Sequence, residues 1–474
     1  MINDIAIIIF TLFTVIFIVF IPRIGFENKL ISKFGIDRDW YIPVMALGVA
    51  FALSLISLST IGIVFLDKIE IIVLIFSFAI ISEGLAESGF FSYIAYRITE
   101  KCGGDSFRLV LYLYILTSII TLFTSNDIVV LVLTPVVLAI CVQSNFKNAK
   151  LILMSQFVAA NTLSMGLIIG SPTNLIIGNK LDINFIYFLA LMILPAIVAF
   201  LATFTLIDFI QSHIQKKTPF FFSDLIFPKK HNLPDKIPFP VFTKQMGHWI
   251  LIFAGVVVLV AIDPIMKISL LGIGLIGIAV SFIYMNYYLK NPKYIVSSLM
   301  NIPYGIFFFG MTFFMFAYEF SRGSLATEYV VPYLNQHIMH SPIKASLVGV
   351  FGSGFLVNVF NDLPASALLS ELYPKLEADY VTKTIFLQAV LIGVNIGCYV
   401  TPVGALAGII WFNTLRVHRN KLGQLYKEQA TQLILPTRGD LVRFGVVNFL
   451  FVGLLSGLLL IFIWFVILLI AKPY

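Results

Sequence analysis

Two short runs set an amide beside a carboxylate inside stretches of oily residues. Thr124 to Pro135 reads TSNDIVVLVLTP, with Asn126 next to Asp127, and Asn358 to Pro364 reads NVFNDLP, with Asn361 next to Asp362. A carboxylate at the centre of a bilayer costs about 2.5 to 3.5 kcal/mol on insertion scales, so each needs a use or a partner. Glu83, in FAIISEGLAESG, and Glu319, in MFAYEFSRGS, raise the same question. Few basic residues lie at that depth, and the histidines fall in loops or at helix ends. Protonation or a bound cation is therefore the favourable way to neutralise Asp127, Asp362, Glu83 and Glu319, which makes them candidate coupling carboxylates. The bland alternative has the aspartates capping helix ends and the glutamates in buried structural hydrogen bonds. Glu87 and Glu371, nearer the surface, are expected to be solvated.

Two further runs surround these pairs, SPTNLIIG from Ser171 and TPVGALAG from Thr401. Pro172 and Pro402 each remove a helical hydrogen bond, and Gly170, Gly404 and Gly408 relax the backbone, so each run predicts a broken helix with exposed ends. Ser125, Asn126, Ser171, Thr173 and Asn174 from one half would meet Asn358, Asn361, Thr401 and Gly404 from the other. Their hydroxyls, amides and freed carbonyls suit a small ion or an uncharged hydroxylated solute. No nucleophile and base pair, and no cofactor or metal motif, stands beside them. Cys102, Cys141 and Cys398 are far apart and lack metal-ligand or redox spacing. A polytopic membrane enzyme would need such groups at an interface loop, so the expectation is a non-enzyme.

The elements that must position these residues follow from composition. Of 474 residues, 59% are hydrophobic and 12% charged, with a mean hydropathy of +0.98, which excludes a soluble globule. The expected fold is an all-α polytopic membrane protein with about ten transmembrane helices, near 3–22, 40–66, 70–95, 150–180, 183–210, 248–262, 268–289, 300–320, 384–415 and 441–471. The first reads as a retained helix, not a cleaved signal. Two interrupted segments, about 108–143 and 345–373, read as re-entrant hairpins, because their tips lack Lys, Arg, a Pro-Gly turn or loop length.

Placing the N-terminus outside puts 23 of the 31 Lys and Arg in the inner loops 23–39, 97–108, 146–150, 211–247, 290–299 and 416–443. The net charge of +7 then reflects basic cytoplasmic loops and no nucleic-acid partner. Both termini are expected outside the plasma membrane.

Four pairs recur in one order at nearly constant offset: Glu83 with Glu319, Asn126-Asp127 with Asn361-Asp362, Asn161 with Asn395, and Ser171 with Thr401. The halves, 1–210 and 248–474 with a basic linker at 211–247, are read as inverted repeats. The broken helices fall at about 150–180 and 384–415. That is the pattern of secondary transporters.

TSNDIVVLVLTPVVLAI, GSPTNLIIG, NVFNDLPASALL and VNIGCYVTPVGALAGIIWFNTLR, with FAIISEGLAESGFF, resemble the arsenite permease branch of the ion transporter superfamily. That superfamily also holds sodium/proton antiporters, citrate carriers and sodium-coupled dicarboxylate symporters. Asn126, Asp127, Thr134 and Pro135 match the first hairpin; Asn361, Leu363 and Pro364 match the second, where Asp362 replaces an Asn. Asn395 to Cys398 replaces the Asp-Leu-Gly-Pro of that branch, so one carboxylate is lost and another gained. The resemblance implies an elevator-like movement driven by an ion gradient and, for this branch, proton-coupled efflux of arsenite or antimonite. The alternative is a sodium/proton antiporter or a sodium-coupled carboxylate carrier. The partners expected are the lipid bilayer, a small solute with its coupling ion (proton or sodium), a second copy in a homodimer and, for a true arsenite pump only, an ATPase. Cys398, beside Gly397, reads as packing, with a soft metalloid ligand as the sharper alternative.

Overall fold

The computed structural model describes residues 2–20, 38–124, 126–143, 146, 148–214, 241–266, 269–289, 304–402, 404–405, 407–408, 411–412, 414–416, 419 and 433–470. Among the described residues the chain is helical, with no β-strand and one isolated bridge between Asn148 and Ile434. The helices are α1 (Ile2–Phe20), α2 (Arg38–Ala52), α3 (Leu58–Glu87), α4 (Phe90–Cys102), α5 (Ser106–Phe123), α6 (Asn126–Gln143), α7 (Lys150–Thr162), α8 (Pro172–Lys180) and α9 (Phe185–Ile214). After these come α10 (Lys244–Met266), α11 (Leu270–Ile283), α12 (Tyr304–Arg322), α13 (Val331–His337), α14 (Pro342–Phe360), α15 (Asp362–Leu372), α16 (Tyr380–Gly397) and α17 (Arg438–Ile470). Seven described helices are long and apolar enough to cross a membrane, or eight if α3 and α4, bent by 57°, form one span. The fold class is as expected, an all-α polytopic membrane protein.

The expected bounds 40–66 and 70–95 are corrected. The turn falls at residues 53–57, with Ser54 at φ 58, and Asp67, Lys68 and Glu70 lie within the continuous helix α3. Charges lower hydropathy without interrupting the backbone ladder, whereas the left-handed Ser54 does interrupt it. Glu371 is also corrected. It is not solvated: it pairs with Lys180 at 2.7 Å and is only 12% exposed.

Small residues set the helix contacts. With lipid outside, helices gain little from hydrophobic exclusion and associate by close backbone approach. A Cβ at Gly274 would stand 2.9 Å from the backbone of Leu74, and Gly277 lies on Ser77, so α3 and α11 run parallel. Gly349 meets Ala389, Ser353 meets Gly393 and Gly354 meets Gly397, so α14 and α16 also run parallel. The Ser346 hydroxyl donates to Gly457 O at 2.9 Å while Gly354 faces Phe449, which makes α14 antiparallel to α17.

The earlier helices repeat this scheme. Tyr114 donates to Phe200 O at 2.9 Å, Phe107 packs on Phe204, and Leu122 meets Ile193 and Ala196 at Gly166, so α5 is antiparallel to α9. Asn126 bonds Asn161 and Thr134 bonds Gln156, so α6 is antiparallel to α7.

Contacts at the two ends fix which segments share a side. At one end Asn148 bridges Ile434, and Lys150 reaches Asp440 at 3.1 Å. At the other, Lys180 pairs with Glu371, the Lys375 ammonium donates to Ser321 O, and the Tyr187 and Tyr380 hydroxyls lie 3.1 Å apart. The chain thus enters α7 at the end where α17 begins, and enters α16 at the end where α9 begins. A separate apolar cluster joins α1, α2, α3 and α12 to Ile176 on α8 and to Leu363, Ala367 and Leu372 of α15.

Candidate functional site

The site is built on two helix breaks and two helix junctions. Between α7 and α8 the backbone makes two short 3-10 turns, Leu163–Gly166 and Ile168–Gly170, and then Ser171 caps α8 by accepting from Thr173 N. Pro172, in the first turn of α8, has no N–H to orphan there. No side chain fits at Gly170, where a Cβ would collide with Ser164 O. The carbonyls loosened by the break are taken up by Asn174, whose Nδ2 donates to Ser164 O at 3.0 Å and Leu167 O at 2.9 Å. The second break follows α16. Here Asn358, on α14, donates through Nδ2 to Gly397 O at 2.8 Å and Gly354 O at 2.7 Å. The Thr401 hydroxyl in turn donates to Asn358 Oδ1 at 2.8 Å. Gly404 sits over this bond, where a Cβ would come within 2.6 Å of Cys398 O and 3.0 Å of Asn358 Oδ1.

Both junctions lie beside these breaks. Thr124 is extended, α6 starts at Asn126, and Asn126 Nδ2 donates to Asn161 Oδ1 at 2.7 Å. Asn361 joins α14 to α15 at φ 78 and ψ 161, a conformation that costs a non-glycine residue about 1–3 kcal/mol. Asp362 opens α15, is 5% exposed, and accepts from Leu363 N at 3.0 Å. α15 packs against both α8 and α12.

Three residues outside the expected set tie the halves together. Asn395 Nδ2 donates to Asn174 Oδ1 at 2.8 Å, crossing from one half to the other. The Cys398 thiol lies 2.8 Å from Asn395 O and 3.2 Å from Asn161 Oδ1. Asn126, Asn161, Cys398, Asn395 and Asn174 thus form one buried line through both halves. Asn161 and Asn395 serve in the sequence as repeat markers; the signal that could have placed them in the site is the cost of burying an amide in an oily helix without a partner.

Of the expected residues, Asn126 and Asn174 lie on this line and Asn358, Thr401 and Gly404 meet at the second break, while Ser171 and Thr173 bond each other at the start of α8 and Asn361 and Asp362 stand at the α14–α15 junction. Several of these amides hold backbone carbonyls of the breaks instead of standing open for a ligand. Ser125 lies outside the described residues, and of Asp127 only the helical backbone is described. Glu319 is elsewhere: it accepts from the Thr60 hydroxyl beside the α2–α3 turn, and Glu83 lies on α3. No group of three or more His, Cys, Asp or Glu among the described residues could hold a metal.

Residues 15–380 match the family described as citrate transporters. The chain belongs to that family. An arsenical pump membrane protein of Escherichia coli is 25% identical over 350 residues, covering 71% of this chain and 76% of that protein. A putative arsenical pump membrane protein of Bacillus subtilis (strain 168) is 24% identical over 436 residues, 89% of this chain and 94% of that one. A 46 kDa membrane protein of Mycobacterium leprae is 30% identical over a shorter stretch of 120 residues, 25% of this chain and 28% of that protein. The chain is a multi-pass secondary transporter and not an enzyme.

Proposed function

We propose that this transporter exports a small uncharged hydroxylated solute, arsenite or antimonite, in exchange for protons entering the cell. One observation carries the reading. The stretches 109–146, 151–179, 345–374 and 384–415 contain no Lys, Arg or His. A di- or trivalent carboxylate at this depth would meet no counter-charge, whereas a neutral hydroxide needs none. Asp127 and Asp362 are the proton carriers, charged in one step of the cycle and neutral in the other.

In this reading the halves are inverted repeats, and α5–α6 and α14–α15 are re-entrant hairpins, whose tips at Asn126-Asp127 and Asn361-Asp362 have no Lys, Arg, Pro-Gly turn or loop length. The body holding the breaks and hairpins slides as an elevator against α1–α3 and α10–α12 across the apolar face of α12. In this reading the end holding Asn148 and Ile434, where the basic loops lie, faces the cytoplasm at the plasma membrane, and both termini are outside.

The family description favours a second reading, a citrate carrier, for which sodium is the coupling ion to test. Inverted vesicles with an imposed pH gradient separate the two when solute and pH are followed with arsenite, sodium or citrate. Arsenite uptake that collapses with the proton gradient is expected. Sodium-dependent citrate movement without arsenite movement would overturn the proposal.

A further inference from the structure

One layer of the α5–α6–α7 packing is more polar than the fold requires. Thr121 donates to Ala160 O at 2.7 Å, and one helical turn earlier on each of these parallel helices stand Thr117 and Gln156. α6 contributes Thr134, whose hydroxyl donates to Gln156 Oε1 at 3.1 Å. Ser118 and Ser155 are the adjacent residues. All five are at most 1% exposed. Thr117 Oγ1, Ser118 Oγ, Ser155 Oγ and Gln156 Nε2 have no hydrogen-bond partner among the described residues.

Neighbours on the same helices do find partners. Thr124 donates to Ile120 O and Thr162 to Val158 O, the ordinary solution for a hydroxyl on a membrane helix. The second half supplies an internal control. Displacing Ser155 and Gln156 by 234 residues, the separation of Asn161 from Asn395, gives Ala389 and Val390. Displacing Thr134 by 235, the separation of Asn126 from Asn361, gives Leu369, and the same step takes Ser118 to Ser353. There Gly349 lies on Ala389, and the Ser353 hydroxyl donates to Gly349 O at 2.6 Å. The hydroxyl of the equivalent layer is therefore paired in one half, whereas the other half holds four groups with no partner among the described residues.

Buried polar groups are paired, so a cluster of orphans in a packed protein marks a place for small polar molecules. We infer that this layer is a binding site for small neutral hydroxyl-bearing molecules, held between donors and acceptors of Thr117, Ser118, Ser155 and Gln156. Water and the neutral hydroxylated solute share that chemistry. Below the layer Leu109, Leu113, Leu138, Cys141, Leu151 and Ile152 are buried and apolar, so the site is closed toward that end. Above it stands the Asn126–Asn161 pair, and Asp127 lies two helical turns from Thr134 along α6.

A density map of the full transporter, fine enough to show solvent and taken with and without antimonite, reads the site directly. Solvent peaks within hydrogen-bonding distance of Gln156 Nε2 and Thr117 Oγ1 identify water; a heavy-atom peak there identifies the solute. Either is the expected result. The triple variant Thr117→Val, Thr134→Val, Gln156→Leu, which removes the Thr134 hydroxyl together with its Gln156 acceptor, is expected to keep or raise its melting temperature while transport falls at least about fivefold, a pairing that a purely structural role does not produce. Hydroxyls turned to their own helix carbonyls, no peak in the layer and full transport by the variant would overturn the inference. The map taken without antimonite is read with no gradient and no transported solute, so its solvent peaks are independent of whether arsenite moves with protons.

Discussion

Asn174 uses both amide protons on the carbonyls of Ser164 and Leu167, and its oxygen accepts from Asn395. Truncation would orphan two buried carbonyls and the Asn395 amide at once, at about 1–3 kcal/mol for each group. Asn174→Ala is expected to lower the melting temperature more than Ser171→Ala, read by thermal unfolding in detergent. Asp362→Asn keeps the size of the side chain and removes the proton site. It is expected to fold normally, to lose gradient-driven transport at least tenfold, and to leave binding measurable; normal driven uptake would show that the second carboxylate carries no proton.

Outside the membrane, Asp379 caps α16, and the Thr382 hydroxyl and backbone N–H hold its carboxyl below its ordinary value. A depressed folded-state value means that the stabilisation is present at neutral pH and disappears as pH falls through that value. Asp379→Ala is therefore expected to cost about 1 kcal/mol at pH 7, with the gap from wild type closing in strong acid. Residue types were legible in the sequence at this scale, but roles were less so. That Asn358 and Asn174 hold the carbonyls of the breaks was not legible, because sequence spacing does not tell which carbonyl an amide will face.

At the scale of elements, the breaks were legible because proline and glycine act through the backbone itself, as at Gly170 and Pro172. The α2–α3 turn was not. Asp67, Lys68 and Glu70 lower hydropathy and so resemble a loop, while residues 53–57 carry no Pro or Gly to announce one. The closest helix pair, α14 with α16, depends on glycines in both members. A Cβ at Gly393 would collide with Val350 O, a backbone atom that cannot rotate away, whereas one at Gly62 meets nothing within 4 Å. Gly393→Ala is expected to lose about 1–3 kcal/mol or fail to accumulate, and Gly62→Ala to behave as wild type, both measured by thermal unfolding of purified protein.

At the scale of the whole molecule, the Lys375 ammonium reaches across from the segment after α15 to cap α12 at Ser321 O, while Lys180 and Glu371 pair beside it. If the hairpin-bearing body slides along α12, that contact must break in every cycle. Cysteines at Ser321 and Lys375, joined by an oxidant, are expected to stop transport reversibly; transport through the joined protein would rule out sliding at this face.

The bridge between Asn148 and Ile434, the Lys150–Asp440 ion pair and the Asn395–Asn174 bond share one further property. Each joins residues before 211 to residues after 247, and none uses the intervening chain. Covalent continuity is thus redundant with the packing. A gene cut within the codons for 215–240 should still yield a working transporter when both fragments are made in one cell, and neither fragment should accumulate when made alone.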